Sequence, residues 1–279
     1  MGDKLIVINN VSKSFGKKKV LNDINIVVEK GQSIALLGHN GSGKSTFLKI
    51  ICGLSRINSG QISYSADLKF NYVPERFPKM NITAKQYIKH MGLIDGLSPQ
   101  VIEQKSEELF SKFFMKEMID ISLKHLSKGT LQKVSVIQAI MTKPDVLLLD
   151  EPLSGQDMES QNVFIELINE LNKHGVTIIM SCHERFLVKK ISDVVYEIKN
   201  GKLEYKELSE LYKTEYDILN FLKSNEHKII SSDIEDMVEK IENYDGKIKM
   251  VVQREKSNEL IIKMIEEGYL LRGMYSEYA

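Results

Sequence analysis

The chain has 279 residues, 42% of them hydrophobic and 27% charged, with 38 Lys+Arg balancing 38 Asp+Glu. These ordinary globular proportions exclude a disordered or fibrous chain, and the balanced charge gives no basic footprint for nucleic acid. Two cysteines, Cys52 and Cys182, make no disulfide framework and point to a reducing compartment, and no apolar run approaches the roughly 20 residues that span a bilayer. Leu5–Asn9 and Ile24–Val28 are rich in Ile and Val and predict short strands separated by the basic turn Gly16–Lys19. Ser33–Leu37 is a compact apolar strand, followed by a Gly-rich loop and the helical segment Ser45–Cys52. Further strands are expected at Gln61–Tyr64 and Phe70–Val73. From Thr83 to Ile121 the apolar residues recur at helical spacing, as in Tyr87, Ile88 and Met91 and again in Leu109, Phe110 and Phe113, which predicts a helical insert. Val146–Leu149, Thr177–Met180 and Val194–Ile198 read as buried strands, with an amphipathic helix over Val163–Leu171 and a closing turn at Asn200–Gly201.

Beyond Tyr205 the pattern predicts a small second domain of order β-α-β-α-β. A strand at Lys228–Ile230 leads to a capping box at Ser232-x-x-Glu235, which opens a helix to about Asn243. Lys247–Val252, Asn258–Glu267 and Tyr269–Tyr275 complete the order. Residues 1–205 hold 27 basic and 22 acidic side chains and residues 206–279 hold 11 and 16, a mild asymmetry that argues no partner.

Two motifs carry chemistry. Gly38-His39-Asn40-Gly41-Ser42-Gly43-Lys44-Ser45-Thr46 fits the P-loop pattern G-x-x-x-x-G-K-[ST], in which bent backbone presents successive N–H groups to phosphate oxygens. Lys44 is suited to the β- and γ-phosphates and the Ser45 hydroxyl to Mg²⁺. Val146-Leu147-Leu148-Leu149-Asp150-Glu151-Pro152 is an apolar strand ending in two carboxylates, at the sheet edge where open α/β folds bind ligands. Asp150 is placed to hold the Mg²⁺ shell, and Glu151 to accept a hydrogen bond from an attacking water.

On these motifs the stretch Leu5–Tyr205 resembles the ATP-binding cassette (ABC) family. The fold this implies is α/β: a P-loop NTPase core with an antiparallel β subdomain and a helical subdomain at about residues 80–135. The C-terminal α/β appendage at 206–279 is additional. Leu126-Ser127-Lys128-Gly129-Thr130-Leu131-Gln132 resembles the family signature, so Ser127 and the Gly129 N–H are expected to meet the γ-phosphate of a second cassette. Lys128 and Thr130 depart from the usual Gly and Gln. His183, in Ser181-Cys182-His183-Glu184, resembles the switch histidine. Ser154-Gly155-Gln156-Asp157 resembles the D-loop, with Gln156 at an ordinarily apolar position. Phe15 resembles the aromatic that stacks on adenine, a core aromatic being the alternative. Tyr72-Val73-Pro74-Glu75 resembles the Q-loop, with Glu75, a further metal-side oxygen, in place of Gln.

The resemblance implies an ATPase subunit with ATP and Mg²⁺ as cofactors, working as a pair of cassettes. It would be cytoplasmic and held at the inner face of the membrane by a permease on a separate chain that docks on the helical subdomain. The Val73-Pro74-Glu75 stretch and the Ser127-Lys128-Gly129 signature look more like exporter-type or drug- and peptide-resistance cassettes than nutrient importers. The alternatives are a soluble ABC ATPase with a non-transport role, or a slow nucleotide-dependent module in a heterodimer.

Overall fold

The computed structural model describes residues 3–208, 215–222, 230–244 and 246–278. The chain divides into two compact units, Met1–Leu208 and Ser209–Ala279.

The first unit is built on a six-stranded sheet of order β5-β6-β7-β3-β8-β9. Its strands are β3 (Ser33–Leu37), β5 (Phe70–Val73), β6 (Val146–Asp150), β7 (Thr177–Ser181), β8 (Val194–Lys199) and β9 (Lys202–Lys206). The first five run parallel, and β9 closes antiparallel on β8 through Asn200 and Gly201, both at positive φ (51° and 75°), as a tight right-twisted hairpin requires. Every residue of β6 and β7 is buried, which explains their continuous apolar reading.

A second sheet, of order β2-β1-β4, pairs β1 (Lys4–Phe15) with β2 (Lys18–Glu29) and β4 (Ser59–Tyr64) antiparallel. β1 and β2 are longer than the short strands expected. Asn10 (φ 50°) and Asp23 (φ 58°) lie where the β1–β2 register shifts, and such irregularities break the period-2 pattern without ending the pairing.

The helical insert comprises α2 (Ala84–Ile94), α3 (Pro99–Lys112) and α4 (Lys128–Ile140), with short 3₁₀ turns at Lys116–Met118 and Leu123–His125. Each helix has a side-chain cap at its start. Thr83 and Gln86 form a reciprocal capping box on α2, Ser98 caps α3 ahead of Pro99, and Ser127 caps α4. Helix α1 (Lys44–Ile51) follows β3, and α5 (Met158–Lys173) and α6 (Arg185–Ile191) follow β6 and β7. Phe47, Leu48 and Ile51 of α1 pack into the core with Leu36, Leu148 and Ile179 of the sheet. That packing fixes the start of α1 against the strand ends, where the site lies.

The second unit runs β10 (Glu215–Leu222), α7 (Ser232–Glu235), β11 (Val238–Tyr244), β12 (Lys247–Gln253), α8 (Arg254–Glu266) and β13 (Leu270–Tyr278). Its four strands are wholly antiparallel in the order β11-β12-β10-β13, the split βαβ plait of ferredoxin-like domains.

The helix expected from Ser232 to about Asn243 is corrected, and with it the order, which is β-α-β-β-α-β and not β-α-β-α-β. The helix opened at Ser232 ends at Glu235, and Val238–Tyr244 is a strand. Val238 and Ile241 are three apart, a helical spacing, but a register shift between Val238 and Lys240 turns both toward the Val252–Met250 side of the sheet. Strand β10 carries no strand assignment in the sequence reading, because Asp217 interrupts its apolar run at a fully buried position. The strand expected at Lys228–Ile230 lies outside the described residues except for Ile230, which is not in a strand.

Candidate nucleotide site

Three parallel strands lying side by side, β6, β7 and β3, end at one edge of the sheet. Their register aligns Leu36 with Ser181 and Ser181 with Asp150, so the segments leaving them emerge together. Those segments are the P-loop, the Asp150-Glu151 pair and the Ser181–Glu184 stretch, which is the placement expected of ligand-binding loops in an open α/β sheet.

The P-loop closes around its own backbone. Gly38 has φ 142°, and a Cβ there would sit 2.7 Å from both the Ile198 carbonyl oxygen and Ser42 Oγ, so no other residue fits. Helix α1 starts at Gly43 with no side-chain cap and no acidic residue in its first turn, which leaves its N-terminal N–H groups and positive dipole end facing the cleft. Among the described residues, the buried Ser42 Oγ has no hydrogen-bond partner.

Lys44 and Glu151 meet His183 in this cleft. Lys44 Nζ donates to the Gly38 carbonyl at 2.6 Å, and lies 3.2 Å from His183 Nε2 and 3.6 Å from Glu151 Oε1. His183 Nε2 lies 3.1 Å from Glu151 Oε1 and 3.0 Å from Asn40 Oδ1. The buried Glu151 Oε1 accepts no aligned hydrogen bond from either neighbour, although both lie within ion-pair distance. Glu151 itself is held at φ 49°, with its N–H donating to the Ser181 carbonyl at 3.1 Å. A non-glycine residue in that region is the kind of local strain found at functional sites.

Burial pushes the Glu151 carboxyl up to about 7. Glu184 and Asp150 add to the rise, and Lys44 opposes it. Burial, with Lys44 alongside, lowers the His183 imidazole below its ordinary value, favouring the neutral ring.

Asp150 is 2% exposed and accepts three hydroxyl hydrogen bonds. Ser45 and Ser181 donate to Oδ1 at 2.9 and 2.7 Å, and Tyr72 donates to Oδ2 at 2.9 Å. Burial and the adjacent Asp150 hold the Tyr72 phenol far above its ordinary value, so it stays a donor. A serine hydroxyl beside a buried carboxylate is a hard-oxygen donor set that fits a Mg²⁺ ion at the phosphates.

The cleft has a volume of about 800 Å³. Phe15, Asn40, Gly41, Ser42, Gly43, Lys44, Ser45, Thr46, Glu75, Glu151 and His183 line it, with Gly38 and Asp150 beneath. Phe15 is 56% exposed, which rules out a core role, and Lys13 Nζ sits 4.8 Å from its ring centroid. Ser127 and Gly129 do not line the cleft. Ser127 Oγ caps its own helix by accepting from the Thr130 N–H at 3.1 Å, whereas Lys128 reaches the cleft and donates to Ser154 Oγ at 2.6 Å. Glu75 is half exposed beside Arg76, 3.8 Å away. The Tyr72 and Ser181 hydroxyls are functional groups that the sequence alone does not single out. They stand inside the motifs of Glu75 and His183, but no spacing rule ties either to Asp150.

The profile of the ABC transporter family matches residues 21–154. The zinc import ATP-binding protein ZnuC of Rickettsia bellii is 34% identical over 196 residues, covering 70% of this chain and 83% of that protein. The chain belongs to the ABC transporter ATP-binding protein family. The ABC transporter ATP-binding protein NatA of Bacillus subtilis is 32% identical over 230 residues, 76% of this chain and 93% of that protein. A solved ATP-binding subunit of an ABC transporter superposes with a TM-score of 0.68 at 27% identity, covering 75% of this chain and 92% of that one. As an ABC ATP-binding subunit the chain is an ATPase whose hydrolysis powers transport. Its relatives also include the macrolide export protein MacB of Bartonella henselae, at 29% identity over 77% of this chain and 36% of that protein. Import and export systems thus both stand among them, so the likeness does not separate exporter from importer. Among the described residues, no helix is long and apolar enough to cross a membrane.

Proposed function

We propose that this ABC subunit binds ATP with Mg²⁺ in the P-loop cleft, hydrolyses it with Glu151 as the general base, and drives a separate membrane permease by pairing with a second cassette. The observation that carries the catalytic assignment is Glu151 Oε1, buried, without an aligned hydrogen bond among the described residues and within 3.1–3.6 Å of His183 and Lys44.

In this reading the P-loop amides and the start of α1 hold the phosphates, and Lys44 exchanges its contact with the Gly38 carbonyl for the β- and γ-phosphate oxygens. Ser45 and Asp150 hold Mg²⁺, which when bound neutralises charge on those phosphates. Phe15 offers a ring face to adenine, and Glu75 adds an oxygen on the metal side. Glu151 takes the proton of the attacking water, and His183 holds the γ-phosphate and fixes the Glu151 oxygen. Ser127 and the Gly129 N–H serve the nucleotide of the second cassette, which requires Ser127 Oγ to share its capping role. The permease docks on the helical subdomain, which places the subunit at the cytoplasmic membrane face.

The test compares Glu151→Gln and Lys44→Ala with the parent for ATP affinity, phosphate release and ATP-dependent pairing. Glu151→Gln loses about 10²–10⁴-fold in turnover, keeps ATP affinity and accumulates as a closed pair. Lys44→Ala loses affinity itself. Parental turnover in Glu151→Gln would remove the catalytic assignment.

A further inference from the structure

Asp150 is held asymmetrically. Oδ1 receives two serine hydroxyls, from Ser45 and Ser181, whereas Oδ2 receives the Tyr72 hydroxyl at 2.9 Å. At 2% exposure the residue has no bulk water to replace a lost donor. A carboxylate's terminal torsion is broad, so its plane is set by whatever holds its two oxygens. When the Ser45 hydroxyl turns to a metal, Oδ1 keeps Ser181 and Oδ2 keeps Tyr72. Tyr72 lies on β5, in parallel register with Leu148 of β6, two residues before the Asp150 strand end. Its hydroxyl therefore reaches Oδ2 from the neighbouring strand, whereas the P-loop serine reaches Oδ1.

We propose that Tyr72 is a positioning residue for the Asp150 carboxylate, fixing Oδ2 so that Oδ1 is presented to Ser45 and the metal. The inference rests on the reading that Asp150 directs Mg²⁺. It adds a partner outside the nucleotide cleft, placed by the same strand that leads into Glu75. Partners of this outer kind commonly change metal affinity by about 10–100-fold when removed.

Calorimetric titration with ADP, which involves no turnover, tests this in EDTA and at graded Mg²⁺ for the parent, Tyr72→Phe, Asp150→Asn and the double variant. Tyr72→Phe deletes one oxygen and leaves the ring packing in place. Its ADP affinity in EDTA stays within about twofold of the parent, while the Mg²⁺ concentration giving half of the metal-dependent gain in affinity rises about tenfold. In the Asp150→Asn background Tyr72→Phe adds no further shift, because its effect passes through the carboxylate. An unmoved Mg²⁺ midpoint in Tyr72→Phe, an equal loss of affinity in EDTA, or additive effects in the double variant each overturn the inference. If Asp150→Asn itself leaves the Mg²⁺ dependence unchanged, the metal reading falls and this inference with it. If Asp150→Asn shifts the midpoint and Tyr72→Phe does not, only the positioning role is lost.

Discussion

A general base must be ionised before it can take a proton, and Glu151 in the free protein holds its proton up to about pH 7. The rate at limiting ATP is therefore expected to fall as pH drops from 8 to 6. A steady-state kcat/KM profile with its acid limb near 7 in the parent supports this; a limb near 4.5 would place the base elsewhere. The same shift acts on stability. The unfolded carboxyl ionises near 4.5 and the folded one near 7, so folding takes up a proton between those values. Parent stability accordingly declines as pH rises through that window and stays lower above it. Glu151→Gln keeps the shape and has no such proton. It should unfold at a higher temperature than the parent at pH 8 and match it at pH 4, with a difference of at most about 3 kcal/mol. Thermal melts of the nucleotide-free proteins at both values check this, and equal midpoints at pH 8 would show that the carboxylate is not destabilised by its surroundings.

At the scale of elements, the start of α4 and the loop after β6 are held together as one piece. Lys128 donates to Ser154, the buried Lys133 ammonium lies 2.9 Å from Asp157 Oδ2, and Gly129 lies against the Gly155 carbonyl so closely that a Cβ would approach its oxygen to 2.0 Å. The Ser160 N–H, with Lys133 next, holds the Asp157 carboxyl well below its usual range. Gly129→Ala must push the two segments apart. It is expected to abolish ATP-dependent pairing and most turnover while ATP still binds the single cassette within about threefold of parental affinity. Size-exclusion chromatography with ATP and a binding titration decide it, and normal pairing would show that this contact is not part of the interface. Lys128→Gly removes one hydrogen bond worth about 0.5–1.5 kcal/mol and should change pairing far less. This contact marks the border of what the sequence made legible. The Lys44, Ser45 and Asp150-Glu151 cluster was readable because each residue sits at the end of an apolar strand or inside a spaced glycine pattern. The Gly129–Gly155 approach, the Tyr72–Asp150 bond and the cis partner of Lys128 join residues that lie 26 or more positions apart, and no local period encodes them. In the second unit a bulge at Val238 mimicked helical spacing, and a buried Asp217 disguised a strand.

In the whole molecule, each apolar core closes within one unit. The apolar cluster around Leu36, Phe47 and Ile179 draws its members from residues 5–203, and the one around Leu219, Met250 and Leu260 from residues 219–271. Among the described residues, each sheet likewise pairs within its own unit. The second unit also has its own buried polar fastening. Burial alone would raise the Asp217 carboxyl, but Ser257 Oγ at 2.6 Å, Ser276 Oγ at 2.8 Å and Arg254 Nε at 3.4 Å outweigh it and leave the group below its ordinary range. A domain that closes its core and satisfies its buried charge internally folds without its neighbour. Removing residues 209–279 is therefore expected to leave the first unit folded, with ATP affinity within about threefold of the parent, because every residue proposed to hold the nucleotide precedes position 184. A cooperative melt and an ATP titration of the shortened chain test this. A chain that loses its cooperative transition, or binds ATP more than tenfold more weakly, would show that the plait contributes to the cassette's own core. Retained binding with altered ATP-dependent pairing would instead assign the plait to the assembly of two subunits. The isolated segment from 209 onward supplies the reciprocal test. Its own melt should lose cooperativity in Asp217→Ala, since removing the carboxylate takes the 2.6 Å acceptor from the buried Ser257 hydroxyl and the shared partner from Ser276 and Arg254.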